Sequence, residues 1–270
     1  MAFATGDRVT VFTVPPKAKV TMETRLAQLF AVAWSPDGNW LAAAGGTPGS
    51  YGAIEMRDGH SRQLVRTLAK SGDVLYAAAF SPDGRVIAAG GADGRVRMVS
   101  IDTGETVRTL EGHVGPVLAV AWSPDGSRLA TAGGDRSIRL WTASGTLERA
   151  LTNHNGPVEA LVFASDGATL YSASSDMTVR VWVPATGRMK RIVRGFESPV
   201  LALDLIPSKL LLAAGCADGS LRVVNPDTGQ LLDRIPVGKA WTQAVAISPD
   251  SAWIAWADLT GRADVRRLTQ

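Results

Sequence analysis

"GGDRSIRLW" (residues 133–141) sets an aspartate in a glycine turn, follows it with an alternating strand, and ends on a tryptophan six residues after the aspartate. "SSDMTVRVW" (174–182), "GADGRVRMV" (91–99) and "CADGSLRVV" (216–224) repeat the frame, each with Asp third and Trp or Val last. Self-similarity at a fixed period marks a repeat architecture, in which each copy buries its apolar face against its neighbours.

A turn signal punctuates the copies: "SPDG" at 35–38, 81–84 and 123–126, "ASDG" at 164–167, "IPSK" at 206–209 and "SPDS" at 248–251. Their first residues are 46, 42, 41, 42 and 42 apart. Proline presets φ at the second turn position, aspartate bonds the local backbone, and glycine takes the closing positive φ, so each signal joins two strands in a hairpin. The strands on either side, such as "VLAVAW" and "RLATAGG", are largely apolar and do not alternate cleanly, as expected where both faces are buried. The third strand alternates ("SIRLW") and the fourth is more polar still ("ETVRTL", "GRMKRIV"). Four strands graded from buried to exposed, repeated about every 42 residues, describe radially stacked blades.

Composition agrees with a large β fold. The chain has 270 residues, 46% of them hydrophobic, which is ample for a core in one all-β domain. A net charge of +3 comes without any run of five like charges, so no nucleic-acid footprint stands out. The densest basic cluster, Arg188, Lys190, Arg191 and Arg194, alternates as on the solvated face of an outer strand. A single cysteine, Cys216, excludes an intrachain disulfide and a cysteine-based zinc site, and its apolar setting suits a small buried residue. No basic-then-apolar leader opens the chain and no apolar run reaches membrane-spanning length, so a soluble, cytoplasmic protein is expected.

These repeats resemble those of the WD-repeat β-propeller family, over essentially residues 29–257. The repeats at 111–151 and 152–193 carry the fullest pattern, with Gly112-His113, then Asn153-His154 in place of Gly-His. The signature Trp-Asp pair is degenerate, as Trp141-Thr142 and Trp182-Val183, and the copies at 69–110 and 194–235 keep Asp93 and Asp218 but lose both His and Trp. The expected fold is all-β: a single propeller of four-stranded antiparallel blades spanning 1–270. Six first-strand signals give six blades, at 29–68, 69–110, 111–151, 152–193, 194–235 and 236–270, with seven, the family's usual number, as the alternative. Residues 7–23 read as strands three and four of a repeat, so residues 1–28 are expected to complete the last blade, an N-terminal strand closing the ring and removing its sheet edges.

The resemblance also implies a hydrogen-bonded relay of His, a strand-two hydroxyl, the turn Asp and the strand-three Trp. Carried over residue by residue, it is His113, Thr131, Asp135 and Trp141, then His154, Ser172, Asp176 and Trp182. Burying these polar groups is costly unless each finds a partner. Ser172, His154 and Asp176 also have the composition of a hydrolase triad. The inner-strand place of Ser172 and the recurrence of the set with Thr131 favour a structural device. Other chemistry is thin: His60 is the only remaining histidine, and glycine-rich "GGTPGSYG" lacks a following GK[ST], so it reads as a long loop between strands two and three. No catalytic residue, metal or cofactor is expected.

What the resemblance implies for function is a non-enzymatic interaction scaffold that docks other proteins or domains on a propeller face, with neither membrane nor nucleic acid as partner. The alternatives are a ligand-binding or catalytic propeller using the central channel, or the regulatory domain of a longer bacterial-type multidomain protein. The expected docking face carries the small turn residues Ala92, Gly134, Ser175 and Ala217, and around them Phe30, Tyr76, Glu159, Phe196 and Trp241. Aromatics with few charges are the composition of interface anchors.

Overall fold

The computed structural model describes residues 1–13, 15 and 18–268. Among these residues, 26 strands form seven antiparallel sheets, each assembled from strands consecutive in the chain. The first sheet is β1 (Ala2–Thr5), β2 (Arg8–Phe12) and β3 (Lys19–Glu23). Five four-stranded sheets follow: β4 (Gln28–Trp34) to β7 (Leu64–Ser71), β8 (Leu75–Phe80) to β11 (Thr106–Leu110), β12 (Val117–Trp122) to β15 (Leu147–Leu151), β16 (Val158–Phe163) to β19 (Arg188–Val193), and β20 (Val200–Ile206) to β23 (Gln230–Pro236). The last sheet is β24 (Thr242–Ile247), β25 (Trp253–Asp258) and β26 (Ala263–Arg267). The only helix described is a single 3-10 turn, Pro207–Lys209, and none is long and apolar enough to cross a membrane.

The blade count is therefore seven, which corrects the expectation of six. Residues 1–28 do not complete the last blade, because β2 and β3 belong to a sheet of their own with β1 as an additional strand. Side chains close the ring instead of a shared strand. Phe3 and Phe12 of the first sheet pack with Ala255, Ala257 and Ala263 of the last. The short "AFAT" of β1, with no turn signal before it, is what the repeat count passed over.

Stacking depends on the graded strands. Ala130 and Ala132 of β13 (Arg128–Gly133) are fully buried against Val158, Leu161 and Leu170 of the next blade, and Trp182 of that blade completes the cluster. Alanine brings the sheets close while the larger residues fill the space between them, and each fully buried leucine such as Leu170 contributes about 1.5–3 kcal/mol. Outer strands such as β15 are exposed except at their last residue. The basic cluster of β19 lies on such a strand, where Lys190 pairs with Asp227 at 3.0 Å and Arg191 donates to the Thr228 carbonyl at 3.3 Å.

The "SPDG" turns have the chemistry their residues suggest. Ser123 Oγ donates to Asp125 at 2.5 Å, and this bond, with the Ser127 N–H, holds the Asp125 carboxyl down at about 2. Gly126 closes the turn at φ 69; Ser251 takes its place at φ 56, and after the 3-10 turn at Pro207–Lys209 the positive φ moves one residue on, to Leu210 at 51. "GGTPGSYG" is not a long loop. Its residues extend β5 (Trp40–Thr47) and β6 (Tyr51–Asp58) into a longer hairpin, whose turn donates the Gly49 N–H to Asp73 at 2.8 Å.

Candidate functional site

Two relays each tie the loop entering a blade to that blade's own second and third strands and the turn between them. His113 Nδ1 lies 2.9 Å from Asp135, His113 Nε2 lies 2.8 Å from Thr131 Oγ1, and the Trp141 indole N–H donates to that same oxygen at 2.9 Å. In the next blade His154 stands 2.8 Å from Asp176 and 2.7 Å from Ser172 Oγ, which accepts from Trp182 at 2.9 Å. Desolvation pulls both imidazoles below the ordinary histidine pKa, with Asp135 and Asp176 opposing. The Asp176 carboxyl is held at about 2: burial works to raise it, and hydrogen bonds from Thr178, His154 and the Asn155 N–H outweigh that. Gly112 precedes the first histidine because a Cβ there would lie 3.3 Å from the Arg139 guanidinium and 3.5 Å from the Trp141 ring, at a backbone φ of 153.

Blades without His and Trp keep the turn aspartate by another means. Arg97, on β10 (Val96–Ser100), grips Asp93 with two nitrogens at 2.6 and 3.2 Å. Arg222 on β22 (Ser220–Asn225) holds Asp218 at 2.9 Å, aided by Arg234 at 3.0 Å. The arginine four residues after the aspartate was visible in the repeated frame and passed over. In the β4–β7 blade the turn aspartate is absent, and a buried Glu55–Arg57 pair at 2.7 Å clamps the incoming linker instead. Glu55 accepts the Arg25 N–H at 2.6 Å and Arg57 donates to the Glu23 carbonyl at 2.8 Å.

The channel mouth is built from a repeated irregularity. Each of the six inner strands β4, β8, β12, β16, β20 and β24 has a bulge near its start, and the residues at the bulge are Phe30, Tyr76, Leu118, Glu159, Leu201 and Gln243. An extra residue in one strand re-aims its side chain. All six line one cavity of about 740 Å³ at the centre of the ring, with Trp241 and Leu259 beside them. Phe30 and Tyr76 meet edge to face at 4.8 Å, and Phe30, Trp241 and Leu259 are 41%, 51% and 58% exposed. The Glu159 carboxylate accepts from Ser175 Oγ at 2.6 Å. No lysine or arginine is among the lining residues.

Four of the five residues expected on a docking face thus share this mouth, and Phe196 does not. It is 7% exposed and belongs to the apolar cluster that holds Ala214 and Val224. Phe196 stands where its neighbours carry His113 and His154, while Ala214 and Val224 replace the relay hydroxyl and tryptophan, so this blade exchanges a polar relay for an apolar plug. Leu118, Leu201 and Gln243 were missed; their signal was one residue after the valine of "GPV", "SPV" and the equivalent Thr242.

The family described as "IFT122 first beta-propeller" matches residues 74–265, more than half of the chain, and the family described as "WD domain, G-beta repeat" matches residues 21–49. The chain belongs to the WD-repeat β-propeller family. Among solved structures it is similar to a chain of one described as "Crystal Structure of Mitotic Checkpoint Complex", with TM-score 0.89 and 23% identity over 100% of this chain and 84% of that one. No curated protein matches the sequence.

In this WD-repeat propeller the Ser172–His154–Asp176 set has the connectivity of a hydrolase triad without its access. Ser172 is fully buried and its oxygen is occupied by the Trp182 N–H, so no carbonyl can approach it. Burial pushes the Cys216 thiol up to about 12, far from a reactive thiolate. Among the described residues no three His, Cys, Asp or Glu side chains come together as metal ligands.

Proposed function

We propose that this propeller is a non-catalytic docking scaffold whose protein partner binds across the channel mouth. The observation that carries the reading is the convergence of six bulge residues, with exposed Trp241 and Leu259, on one concave opening that no lysine or arginine lines. Single exposed apolar residues are ordinary on any surface, whereas a contiguous aromatic patch around a concavity is what interface anchors provide. Phe30 and Trp241 are the anchors, and Glu159 at the rim selects a partner with a donor or cation to offer it.

Phe30→Ala and Trp241→Ala test this directly, since both side chains are exposed and contribute little to the core. Immobilised wild-type and variant chains are compared for capture of partners from source-cell extract, alongside their melting temperatures. The reading expects capture to fall while the melt stays put. Undiminished capture by the double variant would move the docking surface elsewhere.

A further inference from the structure

The outermost strand of each four-stranded blade is interrupted by a bulge. Pairing with the third strand skips Val65 on β7, Val107 on β11, Glu148 on β15, Lys190 on β19 and Leu232 on β23. A bulge bends an edge strand and breaks its row of free backbone groups, which blunts it against pairing with another chain. The outermost strand of the first sheet has no such break. β3 pairs with β2 residue for residue from Lys19 to Glu23. It lies on the rim of the ring, because the opposite edge strand, β1, supplies Ala2 and Ala4 to the central cavity.

Bonds at the two ends of this pairing show which groups face out. Thr24 N–H donates to the Asp7 carbonyl and Thr13 N–H to the Ala18 carbonyl, both at 3.2 Å. Antiparallel alternation then turns the backbone of Val20 and Met22 toward β2, and the N–H and C=O of Lys19, Thr21 and Glu23 outward. The Glu23 carbonyl accepts from the Arg57 guanidinium at 2.8 Å, which pins that end of the edge.

The edge is complementary to itself. A two-fold axis through Thr21 sets "KVTME" antiparallel to its own copy, with Thr21 opposite Thr21, Val20 opposite Met22 and Lys19 opposite Glu23. Cross-strand pairs of these kinds are stabilising, whereas an edge lysine deters a strand that brings no acid to meet it. Lys19 Nζ donates to a neutral acceptor, the Ala263 carbonyl at 3.1 Å, and exposed Glu23 reaches Arg8 at 3.4 Å. Each charge gains a counter-ion in the pair. Thr5, Thr10 and Thr21 also form a row of hydroxyls across the sheet, at 3.2 and 3.5 Å, which stops at the open edge. A second Thr21 continues it, and exposed Val20 is covered by Met22 of the second copy.

We propose that two copies of this chain associate through β3, antiparallel about Thr21, into one six-stranded sheet shared by two propellers. Strand addition to an edge takes its affinity from main-chain bonds, and the charge register sets the direction of pairing. The edge is on the rim, away from Phe30 and Trp241 at the channel mouth, so the inference does not rest on the face-docking reading.

Sedimentation equilibrium of the full chain over a wide concentration range should show a reversible monomer–dimer equilibrium. Thr21→Pro removes an outward N–H and leaves the ladder to β2 intact, so it should weaken the dimer by about tenfold or more. Glu23→Lys sets like charges opposite one another and should weaken it too, while Lys19→Glu/Glu23→Lys reverses both charges and should restore it. Phe30→Ala/Trp241→Ala should dimerise like wild type. Melting temperatures of dilute samples establish that each variant is folded, and the charge exchange requires no proline. A chain that stays monomeric throughout overturns the proposal. So does a dimer that survives both Thr21→Pro and Glu23→Lys, or one that the folded charge-exchanged variant fails to recover.

Discussion

His113 Nδ1–H donates to the Asp135 carboxylate at 2.9 Å across 22 positions of sequence, and this bond keeps a proton on Nδ1 and sets the orientation of the ring. An ionised carboxylate only accepts and an indole N–H only donates. The Thr131 oxygen accepts from the Trp141 indole N–H, and its own proton is then set to be donated to Nε2 of a neutral His113, in keeping with the desolvation that disfavours the charged ring. A second proton on His113 would meet a hydroxyl already turned to donate.

That geometry, with desolvation as its largest cause, puts the folded pKa of His113 and His154 below the ordinary 6.5. The unfolded chain takes up protons first as pH falls through 6.5, so both histidines make the fold less stable toward acid. Asp204 acts in the opposite sense. Burial raises its carboxyl to about 6, so it favours the folded state progressively as pH falls through that value. The clean measurement is a difference between wild type and His113→Gln/His154→Gln, in which Asp204 cancels. Denaturation between about pH 5 and 7 should show a smaller loss toward acid in the double variant. Parallel pH profiles would mean that the two imidazoles titrate alike folded and unfolded.

Asp135→Ala should cost about 2–3 kcal/mol, because it strands buried His113, the Val114 N–H and the Ser137 hydroxyl together. Asp93→Ala should cost about 1 kcal/mol, since its side chain is more exposed and Arg97, once released, can reach water. Urea denaturation of the two variants decides between unequal and equal costs. Equality would deny the relay any stabilising role beyond that of the arginine pair.

What could be read from the sequence was whatever repeats. The turns, the four graded strands and the relay residues recur at a constant interval, and the structure brings His113, Thr131, Asp135 and Trp141 within hydrogen-bonding distance. The seventh blade was hidden because Ala2–Thr5 has neither a turn signal nor a bulge to announce it. Phe196 was misplaced for a related reason. An aromatic in an entry loop looks like an anchor until its register puts it in the histidine position, facing Ala214 and Val224. The bulges themselves break the period of two that strand reading relies on, so they left no mark in the alternation; aligning the repeats still gave Phe30, Tyr76 and Glu159 and passed over Leu118, Leu201 and Gln243.

Leu210 offers a gain in stability. It closes a strand-one turn at φ 51, ψ 38, is 66% exposed, and lies one residue past Lys209, which takes the place of the turn glycine. A left-handed conformation costs a non-glycine residue roughly 1–2 kcal/mol, and the extra freedom of glycine in the unfolded chain offsets about 0.4–1 kcal/mol of the relief. Leu210→Gly should therefore raise stability by about 0.5–1 kcal/mol, read as a higher denaturation midpoint with an unchanged slope. A lower midpoint would mean that the leucine side chain makes a contact worth more than the strain.

Phe196 and Phe30 separate packing from docking within one residue type. Phe196 is 7% exposed in a cluster with Val179, Val193 and Val200, and the relay chemistry that would otherwise hold this junction is absent. Truncating it opens a cavity that the flanking β-strands cannot collapse into, so Phe196→Ala should cost on the order of 3–5 kcal/mol. Phe30, 41% exposed and supported mainly by the edge of Tyr76, should cost about 1 kcal/mol or less on truncation. Chemical denaturation gives both values, and capture measured well below either melting temperature gives the second axis. The structure expects Phe196→Ala to be unstable yet still able to capture partner, and Phe30→Ala to be stable but impaired in capture. A Phe196→Ala chain that stays stable but loses its partner would return Phe196 to the docking face and contradict its placement in the core.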